Sequence, residues 1–157
     1  MRGLTTESAV TVRYAETDQM GVAHHSVYPV WFEVARTDWI KALGTTYSQL
    51  EQQGVMLPLT QLQVSYLRPA HYEDELTVTA SLARLTPARM VFAYRVEKRS
   101  AEGEVALLSE GTTLHAVVDS TTFRPCNLKK RMPTLYESLQ SSLTDGIAGQ
   151  DEGKGAR

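Results

Sequence analysis

Apolar and polar residues alternate near the start of the chain with the two-residue period of a β-strand. The apolar positions are Val10, Val12 and Tyr14, and the residues between them are polar or small. The alternation stops at Glu16, where the sequence predicts a turn. The pattern therefore predicts a first strand with one face against a core.

From Ser26 the pattern changes to the three- and four-residue spacing of a helix. One broad apolar face is predicted, made of Tyr28, Trp31, Phe32, Ala35, Trp39, Ala42 and Leu43. Gly44 is a typical C-terminal stop, Pro29 is tolerated in a first turn, and Ser26 is a candidate N-cap. Because valines interrupt the opposite side, only a narrow polar stripe remains, and we expect this helix to be mostly buried.

A short polar helix is predicted over 47–53, ended by Gly54, and strand-like alternation then returns four times. The predicted strands cover 62–66, 76–82, 90–96 and about 105–118. Gly111 is expected to permit a bulge in the last of these strands.

One helix buried nearly all round, together with five amphipathic strands, has few packing solutions. An antiparallel sheet must curl around the helix, which is the α+β architecture called the hotdog fold. With 157 residues and neither a repeat nor a linker, the chain is expected to form one domain over 1–143. The last segment, 144–157, is expected to be a flexible tail.

Composition limits the partners. The formal net charge is −2, so no overall field favours nucleic acid or an anionic membrane, and the basic residues are not interleaved with aromatics. No apolar run reaches the roughly 18 residues that span a bilayer, and the first ten residues lack the apolar segment of a secretory signal. Cys126 is the only cysteine, which fits a reducing compartment. We expect a cytoplasmic protein without nucleic-acid or membrane partners.

The residues with chemical potential concentrate between the first strand and the long helix. Asp18 precedes the helix start, where the first N–H groups have no intrahelical partner. A carboxylate beside such donors provides a base or nucleophile together with a site for a developing oxyanion. This combination suits attack on a carbonyl, although an Asp in a turn before a helix is also an ordinary cap or turn residue.

Three segments resemble the 4-hydroxybenzoyl-CoA thioesterase family of hotdog acyl-CoA thioesterases. They are RYAETDQMG from Arg13, HHSVYPVWFEVARTDW from His24, and LPLTQLQVSYLRPAHYEDEL from Leu57. The resemblance covers about residues 9–120 and departs from the family pattern at His24, where Tyr is common, and at Val27, where Asn is common. It implies hydrolysis of an acyl-CoA to a carboxylic acid and free coenzyme A, without a metal or organic cofactor.

The resemblance also implies roles for particular residues. Asp18 falls on the catalytic carboxylate, and the backbone N–H of His25 falls on the group that polarises the thioester carbonyl. Hydrolysis then runs through a mixed anhydride with Asp18 or through water that Asp18 deprotonates. The His25 ring either orients Asp18 or the substrate, or is structural. Two further candidates come from position and not from the resemblance. Tyr28 is either a core residue or, because it lies in the first helical turn near Asp18, a contact for the acyl group, and Thr60, on the strand after the LP turn, is a second candidate for that contact.

Two other parts of the sequence are alternative candidate sites. Glu33 is an alternative acid, because some hotdog enzymes place the working carboxylate on the central helix. Its spacing from Arg36 favours instead a polar network with Arg36 and Asp38, on the helix or at a subunit contact. The neighbouring His24 and His25 are not expected to bind a metal, since adjacent side chains point in different directions and no partner has ligand spacing.

Coenzyme A carries several phosphates, so a negatively charged protein must concentrate cations where the nucleotide lies. Arg84 and Arg89 bracket the LTPA turn, and a second basic cluster contains Arg124, Lys129, Lys130 and Arg131. Each group is a candidate phosphate site or a solvated surface. The resemblance further implies a homodimer with a continuous sheet, often paired into a homotetramer, with active sites at the subunit boundary.

The sequence thus favours an acyl-CoA thioesterase that acts on an aromatic or a short- to medium-chain acyl group. One alternative is a hotdog hydratase or dehydratase, which needs a His and a helical acid in a spacing different from that of His25 and Glu33. Another is a non-catalytic acyl-CoA sensor or binding module. No appended DNA-binding segment supports that role.

Overall fold

The structure, a computed structural model, describes residues 3–144 of the chain. In chain order its elements are β1 (Thr5–Thr11), α1 (Tyr28–Leu43), α2 (Tyr47–Gln52), β2 (Val55–Met56), β3 (Leu59–Tyr66), β4 (Glu75–Thr86), β5 (Arg89–Arg99), β6 (Val105–Ala116), β7 (Val118–Asp119), α3 (Leu128–Arg131) and α4 (Pro133–Ser142). All the strands and both helices predicted from the periodicity are present among them.

Five strands form one antiparallel sheet in the order β1-β4-β5-β6-β3. The long helix α1 packs against one face of this sheet, mainly on β1 and β4. β2 and β7 form a separate two-stranded pair, so the predicted last strand is divided. A five-stranded antiparallel sheet around a long helix confirms the predicted hotdog fold. In this fold β1 and β3 are the two edge strands.

The first strand lies earlier in the chain than the alternation predicts. β1 ends at Thr11, and Tyr14 lies in a 3-10 turn (Tyr14–Glu16) with its side chain 77% exposed. The prediction of Tyr14 as an inward strand position is therefore wrong. Val12 is nevertheless buried, because its N–H donates to the carbonyl of Asp74 and keeps the chain beside the start of β4.

One face of α1 is buried against the sheet, as its spacing predicts, and Gly44 ends the helix in a left-handed conformation. The prediction fails at Ala42, which is exposed, whereas Ile40 is buried. Val30 and Val34 are 53% and 40% exposed. The expectation of a helix buried nearly all round is therefore wrong for the single chain, because the sheet covers only one side of it.

Gly111 does not form the bulge expected of it. It pairs in register with Val64 of β3 and Tyr94 of β5. The register between β5 and β6 shifts instead at Val96, two residues along the ladder from the Gly111 pair. A Cβ at position 111 would lie 2.7 Å from Cε2 of Phe32, so the glycine is required for the close approach of α1 to the sheet.

One sequence prediction concerns the C-terminal end of the chain, and another concerns membrane-spanning segments. The predicted tail, 144–157, lies outside the described residues except for Thr144, whose N–H donates to the carbonyl of Leu82. Among residues 3–144 there is no helix with the length and apolar character needed to cross a membrane.

Candidate functional site

Asp18 lies in a tight turn between β1 and α1. Its N–H donates to the carbonyl of Val22 (2.9 Å), and its carbonyl accepts from the N–H of Gly21 (3.0 Å). The side-chain oxygen Oδ1 accepts from the N–H of Met20 at 2.8 Å, which is an Asx turn and fixes the carboxylate relative to the loop. No described residue donates a hydrogen bond to the second oxygen, Oδ2, so that oxygen is available to a ligand.

The Asp18 loop borders an open cleft of about 340 Å³. His25 and Tyr28 line the same cleft, as do Tyr66 at the end of β3 and Arg68 just beyond it. The structure therefore brings together three of the residues that the sequence selected, namely Asp18, His25 and Tyr28. They meet because the turn after β1 folds back against the start of α1.

His25 begins a 3-10 turn (His25–Val27) that leads directly into α1. The neighbouring amides are bonded: the His24 N–H donates to the Glu16 carbonyl (2.8 Å), the Ser26 N–H to Nδ1 of His24 (3.2 Å), and the Val27 N–H to the His24 carbonyl (3.0 Å). Within the described part of the chain the N–H of His25 has no acceptor. An unpaired amide at the positive end of a helical segment is a suitable donor for an oxyanion.

The predicted N-cap, Ser26, does not cap α1. The residue before α1 is Val27, which makes no side-chain capping bond. His24 acts as the cap of the preceding 3-10 turn, since its Nδ1 accepts from the Ser26 N–H (3.2 Å) and contacts the Ser26 hydroxyl (2.6 Å). The prediction is wrong because this extra turn, which periodicity does not reveal, separates Ser26 from the α-helix.

The rings of His24 and His25 lie against each other, with centroids 4.0 Å apart and planes tilted by 36°. The expectation that these side chains point in different directions is therefore wrong. No group of three His, Cys, Asp or Glu side chains among residues 3–144 is placed to hold a metal ion. The His25 ring is exposed at the cleft, and both roles considered for it stay open.

Tyr66 is a site residue that the sequence analysis missed. Its hydroxyl donates to the carbonyl of His25 at 2.7 Å, and its ring stands edge-on to the ring of Tyr28, with centroids 5.0 Å apart. Burial raises the pKa of both phenols, so both stay protonated near neutral pH. Alternation marks Tyr66 only as an apolar strand position, and its contact spans 41 residues of chain.

Thr60, Arg84 and Arg89 do not lie in the Asp18 cleft of the same chain. Thr60 is at a register shift in β3, and its hydroxyl donates to the carbonyl of Leu114 at 3.1 Å. Arg84 and Arg89 line a separate groove of about 620 Å³ at the β4–β5 hairpin. Their assignment to substrate binding stays a prediction, and within one chain they are separated from Asp18.

The second basic cluster is smaller than its sequence suggests. Arg131 donates to the carboxylate of Asp119 at 2.6 Å and to the carbonyl of Gly54 at 3.1 Å. The Arg131 guanidinium holds the pKa of Asp119 well below its usual range. The Arg131 side chain is therefore already bonded within the protein, whereas Lys129 and Lys130 are exposed.

Glu33, the rival acid, is exposed on α1 and is not among the residues that line the Asp18 cleft. Its predicted pairing with Arg36 is wrong. Arg36 turns into the interior and donates to the hydroxyls of Tyr47 (2.7 Å) and Tyr94 (3.0 Å). Asp38 accepts from the hydroxyl of Ser8 instead, at 2.5 Å, so the three helix residues do not form one network.

Comparison with known proteins gives a family match over most of the chain. Residues 12–142 match the family described as the thioesterase-like superfamily. The chain is also similar to the putative acyl-CoA thioesterase YneP of Bacillus subtilis (strain 168). The two are 37% identical over 134 residues, which cover 83% of this chain and 94% of YneP.

Solved structures are similar as well. The DHNA-CoA thioesterase from Staphylococcus aureus superposes with a TM-score of 0.79 and 34% identity, covering 87% of this chain and 89% of that one. A mutant 4-hydroxybenzoyl CoA thioesterase, complexed with 4-hydroxybenzoyl CoA, superposes with a TM-score of 0.75 over 86% of this chain and 97% of that one. Its identity is 16%, so this second likeness shows the fold alone.

Proposed function

Because the chain belongs to the thioesterase-like superfamily, we propose that it is an acyl-CoA thioesterase, which hydrolyses an acyl-CoA to a carboxylic acid and coenzyme A. The observation that supports the proposal is the cleft that both Asp18 and His25 line, with one carboxylate oxygen of Asp18 and the N–H of His25 left unbonded by the described residues. The names of the similar proteins, several of them acyl-CoA thioesterases, support the same reaction.

The roles in the reaction follow from the two groups. The His25 N–H donates to the thioester oxygen as negative charge develops on it, and an oriented donor of this kind typically contributes about 10²- to 10³-fold in rate. Asp18 either attacks the carbonyl carbon, forming a mixed anhydride that water then cleaves, or deprotonates the attacking water. The coenzyme A thiolate is a good leaving group, so no strong general acid is required. Single turnover in ¹⁸O-water, with the label sought in Asp18, distinguishes the two routes.

The proposed substrate class follows from the walls of the cleft. Its inner side is aromatic, since Tyr28 packs between Tyr66 and Trp31 with ring centroids 5.0 and 4.7 Å away. A cleft of about 340 Å³ suits an aromatic or a short- to medium-chain acyl group. We therefore propose acyl-CoA substrates of both kinds, aromatic and short- to medium-chain, with Tyr28 in contact with the acyl group.

This chemistry requires neither a metal nor an organic cofactor, because an acid and a backbone donor are sufficient for thioester hydrolysis. A cytoplasmic location forms part of the proposal. The chain has one cysteine, Cys126, which is partly buried and unpaired, and an oxidising compartment would add no disulfide within the chain.

We further propose that two copies pair through β3. This edge strand is exposed along its length, and its apolar side chains Leu59, Leu62 and Tyr66 are 49%, 41% and 51% exposed. An unpaired strand edge with apolar side chains is a template for pairing with another chain. Antiparallel self-pairing of β3 gives a homodimer with one continuous sheet, and two such dimers give a homotetramer.

Strand direction indicates what this pairing does to the site. The Asp18 turn lies near the start of β4, because Val22, whose carbonyl accepts from the Asp18 N–H, bridges to His71. Arg84 lies nine residues beyond Glu75, the first residue of that strand, or about 30 Å at the usual rise per residue. β3 begins near the Arg89 end of the sheet and ends at Tyr66, beside His25. Antiparallel pairing therefore places the Arg84–Arg89 groove of one copy toward the Asp18 cleft of the other, where it can hold the coenzyme A phosphates.

Release of free thiol from a panel of acyl-CoAs tests the proposed activity. We expect the native protein to hydrolyse at least one aromatic or short- to medium-chain acyl-CoA. Asp18→Asn should lose at least about 10²-fold in kcat, as expected for a principal catalytic group. Glu33→Gln is the matched control and should retain activity.

A protein that binds acyl-CoA but releases no thiol in either form would be a binding module. If Glu33→Gln were inactive and Asp18→Asn nearly normal, the catalytic acid would lie on α1 and the assignment of Asp18 would be wrong.

A further inference from the structure

Glu16 is a buried acid in the turn that precedes Asp18. Its side chain is 7% exposed, and neither the sequence pattern nor the proposed reaction uses it. Oε1 accepts from the backbone N–H of Arg13 at 2.8 Å, and the Arg13 guanidinium lies 3.5 Å from the same oxygen. Oε2 accepts from the indole N–H of Trp31 at 3.2 Å. Each oxygen of the carboxylate therefore contacts a different part of the chain.

The backbone of Glu16 makes a third connection. Its carbonyl accepts from the N–H of His24 at 2.8 Å, directly before His25. Asp18 follows Glu16 by two residues. Glu16 thus joins the loop that carries Asp18, the turn that carries His25, and α1 through Trp31.

We propose that Glu16 is a positioning residue, which fixes the Asp18 carboxylate relative to the His25 N–H. The inference rests on the proposed function of these two groups. Acyl transfer requires the attacking oxygen to approach one face of the carbonyl at its carbon while the donor bonds the carbonyl oxygen, and a misplacement of about 1 Å can cost about 10²-fold in rate. The carboxylate does not touch the substrate itself, because it faces the interior.

The two donors explain why an acid is needed at this position. Burying a carboxylate is costly unless its oxygens are bonded, and the Arg13 side chain, 73% exposed, provides only partial compensation. An amide at position 16 has one acceptor oxygen, so its NH2 group would face either the Arg13 N–H or the Trp31 indole. Glu16→Gln therefore keeps the size of the side chain and breaks one of the two connections.

Kinetics of thiol release provide the first measurement. For Glu16→Gln we expect kcat to fall about 10- to 100-fold. The KM should change by less than about threefold, because the cleft that binds the acyl-CoA is retained. Glu102→Gln makes the same change of charge in the exposed turn between β5 and β6 and should leave both constants unchanged.

Hydrogen exchange provides a measurement that does not depend on activity. In Glu16→Gln, the amides of His24 and Asp18 should exchange at least tenfold faster than in the native protein, while amides in the centre of β5 keep their protection. Trp31→Phe removes the indole donor, keeps an aromatic ring in the core, and should have a smaller effect of the same kind. This second variant tests the connection if Glu16→Gln does not fold.

The outcomes separate the two proposals. Native kinetics in Glu16→Gln, or a fall in kcat with unchanged exchange at His24 and Asp18, would overturn the positioning role. A uniform loss of protection across the sheet would also overturn it and indicate a structural role only. If the native protein hydrolyses no acyl-CoA, the proposed function fails, and the exchange data still decide whether Glu16 holds the loop against α1.

Discussion

At the residue scale, single positions set how closely α1 approaches the sheet. A Cβ at Gly111 would lie 2.7 Å from Phe32 Cε2 and 2.5 Å from the carbonyl oxygen of Gln63. Phe32 has little room to move, because its ring stacks on that of Tyr94 with centroids 4.4 Å apart. The absence of a side chain at position 111 therefore permits the close packing of helix and sheet.

We expect Gly111→Ala to lower the free energy of unfolding by about 1–3 kcal/mol, as overpacking of a dense core does. Urea denaturation of the native protein and the variant measures this difference. In a double-mutant cycle, Gly111→Ala should cost less in a Phe32→Leu background than in the native one, because the ring that the new methyl meets is absent there. An unchanged urea midpoint in Gly111→Ala would show that the helix and sheet yield to the methyl group.

Sequence alone could select Asp18 and Tyr28 from their positions around the start of the predicted helix, and it could select His25 through the family resemblance. It could not select Tyr66 or Glu16. Their contacts span 41 and 15 residues and depend on which hydroxyl or carboxylate turns toward the loop. Periodicity reports the face of an element and says nothing about such individual contacts.

At the element scale, α1 is joined to the sheet by a buried polar network as well as by its apolar face. Arg36 donates to Tyr94, whose hydroxyl bonds that of Thr113 at 2.6 Å, and Thr113 in turn bonds Nε2 of His115 at 2.9 Å. Nδ1 of His115 lies 3.0 Å from the carbonyl of Leu57. The network thus links α1, β5 and β6 with the segment before β3.

This network makes stability depend on pH. Burial, with a smaller effect of the Arg36 charge, lowers the pKa of His115 from 6.5 to about 4. Between these values the unfolded chain binds a proton that the folded protein does not, so stability falls as pH falls from 6.5 toward 4. The loss from this group is at most about 3 kcal/mol.

Urea midpoints at pH 7 and pH 4.5 measure the dependence. The native protein should lose more stability across this interval than His115→Gln, which has no titrating ring at that position. If both proteins lost the same amount, His115 would not be the group responsible.

The element boundaries show where periodicity stops being informative. It identified the five strands of the main sheet together with α1 and α2, and it located Gly44 as the end of α1, but it did not predict β2, α3 or α4. It missed the 3-10 turn before α1 and therefore misplaced the cap at Ser26. It also overestimated the burial of α1, because Val30 and Val34 are apolar residues at exposed positions of the single chain.

At the scale of the whole molecule, the two ends of the sheet carry different parts of the proposed site. Asp18 is near the start of β4, and Arg84 and Arg89 are at the hairpin where β4 ends. The sequence analysis grouped these residues by function, and one chain does not bring them together. The pairing of two copies along β3 that we propose would do so, and a pattern within a single chain cannot reveal it.

Mixing two defective variants tests this arrangement. Asp18→Asn lacks the acid, and the double variant Arg84→Ala, Arg89→Ala lacks the proposed phosphate contacts. If each site combines Asp18 of one subunit with the arginines of the other, random re-pairing makes about one quarter of the sites intact. We therefore expect kcat/KM, measured after denaturing and refolding the mixture, to rise toward about a quarter of the native value.

A site formed within one chain gives a different result. Each subunit of the mixed dimer would still lack one of its groups, so kcat/KM would stay at the average of the two variants. Refolding each variant alone provides the baseline.

The hydrogen bond from Tyr66 to His25 connects the last residue of an edge strand to the main chain that we propose binds the substrate carbonyl. A substitution in that strand can therefore change the turnover rate through the backbone, even where the substituted residue does not contact a ligand. If two copies pair along β3 as proposed, a substitution in this strand can affect both the contact between the subunits and the reaction rate. Experiments that alter β3 should therefore measure kcat and KM as well as the oligomeric state.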